Sequence, residues 1–430
     1  MTNSKLLETY FDRLWPICRS ITGNGLRESL KILQELFPLS LFEIPSGTIV
    51  LDWEVPSEWN IEDAYIISPS GEKIADFKKN NLHVVNYSIP VDMECTYDEL
   101  VAHLHTRKDL PEAIPYVTSY YRRDWGFCID YNTFLKLPKK GKYRVIIKSE
   151  LKHGSLTYGE AVLKGESDKE ILISSYLCHP SMANNELSGP LALTFLYKLL
   201  SKIEKRYFTY RFFIGGETIG AIAYLSEKGK KIKQKNIGGF ILTCCAGKNQ
   251  EIVFKKAKRP DAYINNVTEY VLRNLNIQSK NIPFDPIGSD ERQFSSPGYD
   301  MQMASIMSGK YSEYKEYHTS LDNKHFISFR RLKELINLHF KIIQTIEQDQ
   351  KYVRTFPWGE PHLEKHKLYP NLAGKKEMDY EITKRMRILN YCDGHHTIIE
   401  ICSIFGYFKD EVEQEVELLV NQGLLKNVPR

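Results

Sequence analysis

Residues of the kinds that bind metals and move protons follow the apolar segments of this chain. His179 comes directly after one apolar run, and Glu217 follows the next. Asp290 and His318 lie in two later polar segments. Imidazoles and carboxylates bind zinc, and both also act as general acids and bases. These residue types point to a metal site or to acid–base catalysis.

The segments that must position these residues alternate between strand-like and helix-like patterns. Short apolar runs predict strands over 170–178, 210–215, 238–247 and 304–309. Amphipathic runs predict helices over 189–204, 261–275 and 326–348. This alternation predicts an α/β fold with a mostly parallel, doubly wound sheet. Ligands bind beyond the carboxyl ends of the strands in such sheets, so the polar residues are expected to converge there.

Each of the four residues also has a purely structural explanation. His179 precedes a proline and would serve equally as a turn residue, and Glu217 would favour a helix N-terminus. Asp290 would cap a turn or helix, and His318 would be an ordinary loop residue. Because all four follow strand ends, one shared polar site is the favoured interpretation.

The 430 residues divide into regions of different character, which predict three domains. Residues 1–45 and 145–349 are assigned to a split α/β domain. Residues 46–144 contain short Val-, Ile- and Tyr-rich segments between turns, which predict an inserted β-rich domain. The polar stretch 350–380 is predicted to be a linker. Residues 381–430 predict three short helices and a strand, the pattern of a winged helix.

The composition excludes several classes of protein. With 42% hydrophobic and 26% charged residues, the chain can bury a large core and is not disordered. The 58 basic and 54 acidic residues give a net charge of +4, which is no signal for binding polyanions. No apolar run is long enough for a membrane span. Eight scattered cysteines without a CxxC pair favour reduced thiols and a cytoplasmic location.

The order His…Asn-x-Leu-Ser-Gly…Glu-Thr-x-Gly…Ser-Asp-x-x-x-Phe…Tyr-His-Thr-Ser resembles the zinc aminopeptidase superfamily, which includes the glutaminyl cyclases. More narrowly, the stretches PICRSITGNGLRESLKIL, IPYVTSYYRRDWGFC and GSDERQFSSPG resemble a bacterial family of aminopeptidase-like proteins. The resemblance implies a sheet of zinc-aminopeptidase type, an inserted β-rich domain and a C-terminal winged helix. Such proteins often accompany polysaccharide or metabolite pathways, so an amide on a sugar or metabolite is as good a candidate substrate as a peptide.

The chain departs from this pattern at expected metal ligands. Asn185 stands where the family has a bridging carboxylate, and Tyr176 stands where relatives often carry histidine. After the third strand, Gly247 lies where an acidic residue is expected. A neutral asparagine cannot bridge two cations as an aspartate does. One zinc ion is therefore favoured over two.

The resemblance also implies roles for the remaining polar residues. His179 and His318 are expected to bind zinc together with Glu217 or Asp290, and water would take the fourth position. The carboxylate that does not bind zinc would be the general base. The residues expected to contact substrate are Asn185, Glu186, Glu291, Arg292 and Tyr317. An ion pair with Glu291 or with a neighbouring residue is the alternative for Arg292.

Two further readings compete with a metal-dependent amide hydrolase. The first is a degenerate, metal-free protein that binds a ligand or a protein partner. The second is DNA binding through the winged helix, but its presumptive recognition helix over 409–417 is strongly acidic and would be repelled by phosphates. We therefore expect a small-molecule or short-peptide substrate and neither nucleic acid nor membrane as partner. The C-terminal domain is the expected contact for a homo-oligomer or a protein partner.

Overall fold

The computed structural model describes residues 4–369 and 376–429. The strands are β1 Ser40–Pro45, β2 Ile49–Val50, β3 Trp53–Glu54, β4 Glu58–Ile67, β5 Lys73–Asp76, β6 Val91–Cys95, β7 Leu104–His105, β8 Phe127–Cys128, β9 Tyr143–Lys152, β10 Ser155–Leu163, β11 Glu170–Tyr176, β12 Thr209–Gly215, β13 Asn236–Ile241, β14 Ile252–Lys255, β15 Lys280–Ile282, β16 Met303–Ser308, β17 Lys351–Arg354, β18 Asp393–Thr397 and β19 Leu425–Val428. The helices are α1 Ser4–Leu14, α2 Asn24–Gln34, α3 Tyr97–Val101, α4 Tyr131–Leu135, α5 Ser188–Leu200, α6 Ile219–Tyr224, α7 Lys230–Lys235, α8 Tyr263–Asn274, α9 Glu291–Phe294, α10 Phe329–Glu347, α11 Lys376–Tyr391, α12 Ile398–Phe405 and α13 Lys409–Asn421. Shorter helical turns cover Asn81–His83, Ala183–Leu187 and Leu225–Gly229.

An eight-stranded mixed sheet carries the predicted polar residues. Its order is β1-β10-β12-β11-β13-β16-β14-β15, and the neighbours β12, β11, β13 and β16 run parallel. Every residue of β11 is buried, as in strands that are covered on both faces of the sheet. The α/β fold and the central parallel strands predicted from the sequence are confirmed.

The strands are held by packing against the helices that follow them. Tyr158, Leu172, Phe213 and Ile241 of the sheet form one apolar cluster with Ile222 of α6. Helix α5 is almost entirely buried, so it is a core helix rather than an amphipathic surface helix.

A glycine allows α5 to approach the sheet closely. A Cβ at Gly189 would lie 2.3 Å from the carbonyl oxygen of Leu242, just beyond β13. Only glycine fits there, which gives a packing reason for the Leu-Ser-Gly motif.

The β-rich insertion is built on an antiparallel sheet of order β5-β4-β9-β6. Its strand β9 alternates between buried and more exposed residues, as expected when one face of a sheet packs on a core. The boundary predicted between residues 144 and 145 falls inside β9, which continues to Lys152. Strand β9 pairs with β4 as far as Lys152, so the predicted boundary divides a single strand.

Residues 261–278 and 341–430 form a second compact unit. It contains a three-stranded sheet of order β18-β17-β19 together with α11, α12 and α13. Helix α8 belongs to this unit, where Arg273 donates hydrogen bonds to the carbonyl oxygens of Cys402 and Tyr407. The sequence analysis assigned this helix to the α/β domain, because an amphipathic pattern reveals an apolar face but not the element that packs against it.

The stretch 350–380, predicted as a linker, begins with a strand. Strand β17 pairs with both β18 and β19, so it is the central strand of the small sheet. Residues 370–375 of the predicted linker lie outside the described residues. Within the described ranges, no helix is both long and apolar enough to cross a membrane. None of the eight cysteines, all of which lie in the described ranges, forms a disulfide bond.

Candidate active site

The carboxyl ends of β11, β12 and β13 meet at one edge of the sheet, and polar side chains gather there. His179 follows β11, and its ring lies between two carboxyl groups. Its Nδ1 is 2.8 Å from Oε2 of Glu186, and its Nε2 is 3.8 Å from Oε2 of Glu217. The side chain of Glu186 is completely buried, whereas that of Glu217 is 23% exposed. The site therefore opens to solvent on the side of Glu217.

Burial shifts the pKa values of Glu186 and His179 in opposite directions. It raises the pKa of Glu186 to about 8, although the charge of Arg19 opposes the shift. Burial, reinforced by Arg19, lowers the pKa of His179 to about 3. The imidazole is therefore neutral at neutral pH, which is the form that binds metal ions.

His318 brings a second imidazole to the same place. Its ring stacks on Tyr317 at a centroid distance of 3.9 Å and lies 5.2 Å from the ring of His179. The backbone of His318 has φ 55°, the left-handed region that is strained for a non-glycine residue. Burial lowers the pKa of His318 well below its usual value, and the neighbouring His179 adds to the effect. Its Nε2 is buried and has no hydrogen-bond partner.

Glu217 and Asp290 form an acidic pair with a cation beside it. Oδ1 of Asp290 accepts a 2.7 Å hydrogen bond from the backbone nitrogen of Thr218, and its Oδ2 is buried without a partner. Arg292 donates a 2.9 Å bond to the hydroxyl of Thr218. Burial raises the pKa of Asp290 to about 7, and burial together with Asp290 raises that of Glu217 well above its usual value. The charge of Arg292 opposes both shifts but does not cancel the effect of burial, so the pair holds a proton near neutral pH.

The donor set fits one metal ion. Two neutral imidazoles and the carboxylates of Glu217 and Asp290 are the ligand types that zinc takes. The unpartnered Nε2 of His318 and Oδ2 of Asp290 are buried polar atoms of the kind that a cation satisfies. Within the described residues, the ligand atoms of Cys178, His179 and Glu186 form the one cluster of three such side chains in which all atoms lie within 4.8 Å of one another.

The position of the expected bridging carboxylate is occupied by a network of neutral side chains. Oδ1 of Asn185 accepts a 3.2 Å hydrogen bond from the hydroxyl of Tyr176, which also lies 2.6 Å from Oγ1 of Thr243. A side chain at Gly247 would meet the carbonyl oxygen of Ser308 at 2.4 Å, so no carboxylate fits there. This region offers no anionic ligand for a second cation.

Three residues expected to contact substrate are buried instead. Asn185, Glu186 and Glu291 are each at most 1% exposed and have internal partners. Glu291 is paired with the equally buried Lys255 rather than with Arg292. Their burial keeps these three side chains away from solvent, although Oε1 of Glu186 and Oε2 of Glu291 have no hydrogen-bond partner.

Tyr317 and Arg292, also expected to contact substrate, are half-buried at the site. Their roles in binding stay predictions.

The inserted domain contributes residues that the sequence analysis missed. Tyr116 lies 5.0 Å from the ring of His179 and 5.2 Å from that of His318. Its backbone nitrogen donates a 2.9 Å hydrogen bond to the carbonyl oxygen of His318. The bridge between Pro115 and Thr319 continues this pairing. The insertion therefore forms one wall of the site and fixes the loop that carries His318.

Two buried charged residues behind the site were also missed. Arg19 is fully buried and donates to the carbonyl oxygens of Leu14 and His179. The carboxylate of Asp322 accepts hydrogen bonds from the backbone nitrogens of Asn184 and Asn185 at 2.7 and 2.9 Å. Arg19 lies in a stretch that carries the family resemblance, and Asp322 lies two residues after the Tyr-His-Thr-Ser motif. Nothing in their local pattern distinguishes them from surface charges.

The fold and the polar edge of the sheet define an aminopeptidase-like α/β protein with a C-terminal winged helix-turn-helix. A family model for a winged helix-turn-helix matches residues 350–427. A zinc aminopeptidase from Bacillus subtilis has the same fold, with a TM-score of 0.55, 14% identity and coverage of 80% of this chain and 93% of its own.

The chain belongs to the family described as "Domain of unknown function (DUF4910)", whose model matches residues 9–349. It is 40% identical, over 97% of its length and 95% of the other protein, to a Clostridium acetobutylicum protein named "Putative polysaccharide biosynthesis protein with aminopeptidase-like domain". A crystal structure from the same organism, titled as a putative peptidase, superimposes with a TM-score of 0.86 at 39% identity. That match covers 99% of this chain and 96% of the other.

Proposed function

We propose that this protein hydrolyses an amide bond of a small substrate with the help of one zinc ion. The observation that supports this most is the meeting of two neutral imidazoles, His179 and His318, with the acidic pair Glu217 and Asp290 at the open edge of the sheet. His179, His318 and Asp290 would hold the ion, and Glu217 would remain available as the general base. A bound zinc supplies Lewis-acid polarisation of the carbonyl and a lowered pKa for water.

The chain's own groups would then move the protons. Glu217, whose carboxyl is both partly exposed and raised in pKa, takes a proton from the attacking water and passes it to the departing amine nitrogen. Asp290 fixes the backbone of Thr218, next to that carboxyl. Arg292 and Tyr317 are placed to hold the substrate's polar groups or the developing oxyanion.

Glu217→Gln tests this proposal. The variant keeps the shape of the side chain but cannot accept a proton, so turnover of an amide panel should fall about 10²- to 10⁴-fold while the circular dichroism spectrum stays unchanged. Glu316→Gln is a matched control, because Glu316 lies on the loop of His318 but has no role in this mechanism. Unchanged turnover in Glu217→Gln would contradict the proposal.

Elemental analysis tests the metal separately. The purified chain should contain about one zinc, and His318→Ala should lose it. No bound metal after zinc is supplied would favour the second candidate, a metal-free binding protein. The hydrogen-bonded Tyr176, Asn185 and Thr243 are the observation that favours this candidate, because they satisfy one another without a cation.

The name of the Clostridium relative supports a substrate from polysaccharide synthesis, such as an acylated amino sugar. The same scaffold would also suit a peptide, and the amide panel should contain both kinds of substrate.

A further inference from the structure

A small cleft in the inserted domain lies one aromatic ring away from the candidate active site. We call it the Tyr121 cleft; it has a volume of about 250 Å³ and is lined by Glu54, Tyr87, Tyr120, Tyr121, Arg122 and Arg123, among others. Sites for drug-sized ligands occupy about 300–1,000 Å³, so this cleft suits a group the size of one ring.

Tyr120 connects the cleft to the site. Its hydroxyl lies 2.5 Å from the hydroxyl of Tyr116, whose ring packs against His179 and His318. The ring of Tyr120 also contacts Tyr121, at 6.4 Å between centroids. The lining of the cleft is therefore joined to the ring that packs on the imidazoles by one hydrogen bond.

The chemistry of the lining favours an anion. Arg122 and Arg123 are both exposed, and neither forms an ion pair with any residue in the described ranges. Glu54 is the carboxylate of the lining, so two cations outnumber one anion. Guanidinium groups recognise carboxylates and phosphates through paired, charge-assisted hydrogen bonds.

The cleft also offers an aromatic surface to solvent. Tyr121 is 55% exposed and Trp53 is 38% exposed, and the two rings meet edge to face at 5.4 Å. Exposed aromatic rings beside polar groups are typical of binding sites, since the ring packs on apolar surface and its edge stays wet.

We infer that the Tyr121 cleft binds an anionic, ring-shaped group of the substrate, with Arg122 and Arg123 holding a carboxylate or a phosphate ester and Tyr121 packing against the ring. This inference deepens the proposed function, because it names the class of substrate: an amide whose remaining part is an acidic sugar or a similar charged ring.

The test measures binding rather than turnover. Glucuronate, glucose 1-phosphate and neutral glucose are titrated into the full-length chain at low salt and followed by ligand-observed NMR. At least one of the two anions should bind at least tenfold more tightly than glucose. Tighter binding of glucuronate would identify a carboxylate, and tighter binding of glucose 1-phosphate a phosphate ester.

Variants separate this cleft from the catalytic residues. The double variant Arg122→Ala/Arg123→Ala should weaken anion binding at least tenfold, and Arg330→Ala, which removes an exposed charge from α10, should not. Glu217→Gln should bind the anion as the wild type does, so loss of turnover leaves this test intact. Equal binding of glucose, no binding of either anion, or unchanged binding in the double variant would overturn the inference.

Discussion

Arg292 is the cation that controls the acidic pair of the site. Its charge lowers the pKa of both Glu217 and Asp290, against the larger effect of burial. A general base must be ionised before it accepts a proton, so Arg292 lowers the pH above which Glu217 can act as the proposed base. This makes a direct prediction about the pH dependence of catalysis.

Replacing Arg292 with methionine should raise the pKa of Glu217 further, because the ionised form loses its neighbouring cation. The acid limb of the kcat/KM profile should then move to higher pH, by about one to three pH units. Arg292→Lys keeps the positive charge, so the acid limb of its kcat/KM profile should lie close to that of the wild type. A methionine variant whose profile coincides with that of the wild type would show that Arg292 does not act on the base.

At the scale of secondary structure, one buried ion pair ties strand β14 to helix α9. The ammonium group of Lys255 contacts Glu291, the hydroxyl of Tyr311 at 2.8 Å and the carbonyl oxygen of Asp285 at 2.7 Å. Glu291 opens the short helix that directly follows Asp290. Lys255 therefore holds the segment that delivers Asp290 to the site.

Lys255→Met should destabilise the protein by about 3–5 kcal/mol, because it leaves the carboxylate of Glu291 buried and unpaired. The double variant Lys255→Met/Glu291→Leu should recover much of the lost free energy of unfolding, as measured by urea denaturation. Lys258→Met breaks a half-exposed pair with Asp300 and serves as the control, with an expected cost below about 1 kcal/mol. Equal effects of the two single variants would refute the special role of the buried pair.

At the scale of the whole molecule, the net charge is small and the winged helix is acidic where a recognition helix would meet DNA. Asp410, Glu413 and Glu417 are exposed on α13. The family match to a winged helix-turn-helix describes this fold but not a ligand.

We predict that the chain does not bind duplex DNA more tightly than about 10⁻⁴ M at 50 mM salt, measured by fluorescence anisotropy. The variant Asp410→Lys/Glu413→Lys/Glu417→Lys should gain affinity, which shows that the assay detects charge on this face. Tight, salt-sensitive binding by the wild type would contradict the prediction.

The sequence predicted those features that depend on local pattern. The strands β11, β12 and β13 are apolar runs followed by polar residues, so His179 and Glu217 could be placed at one sheet edge from sequence alone. Strands β14 and β15 are only four and three residues long, which is too short for a periodic signal. They were missed for that reason.

The missing parts of the site depend on contacts between distant segments. Tyr116 and His318 are about two hundred positions apart, and only the folded chain shows that their backbones pair. The burial of Asn185 and Glu291 likewise follows from partners elsewhere in the chain, Tyr176 and Lys255. A motif shows which residues are present but not which of them face the solvent.

The pairing of residues 114–116 with 318–320 has a consequence for protein engineering. The insertion has its own antiparallel sheet, which suggests deleting it to make a smaller version of the proposed hydrolase. Yet the trimmed chain would keep every proposed zinc ligand and lose the backbone partner that holds His318 in its left-handed conformation. In this chain the insertion and the loop of His318 therefore depend on each other, and a chimera must exchange both segments together.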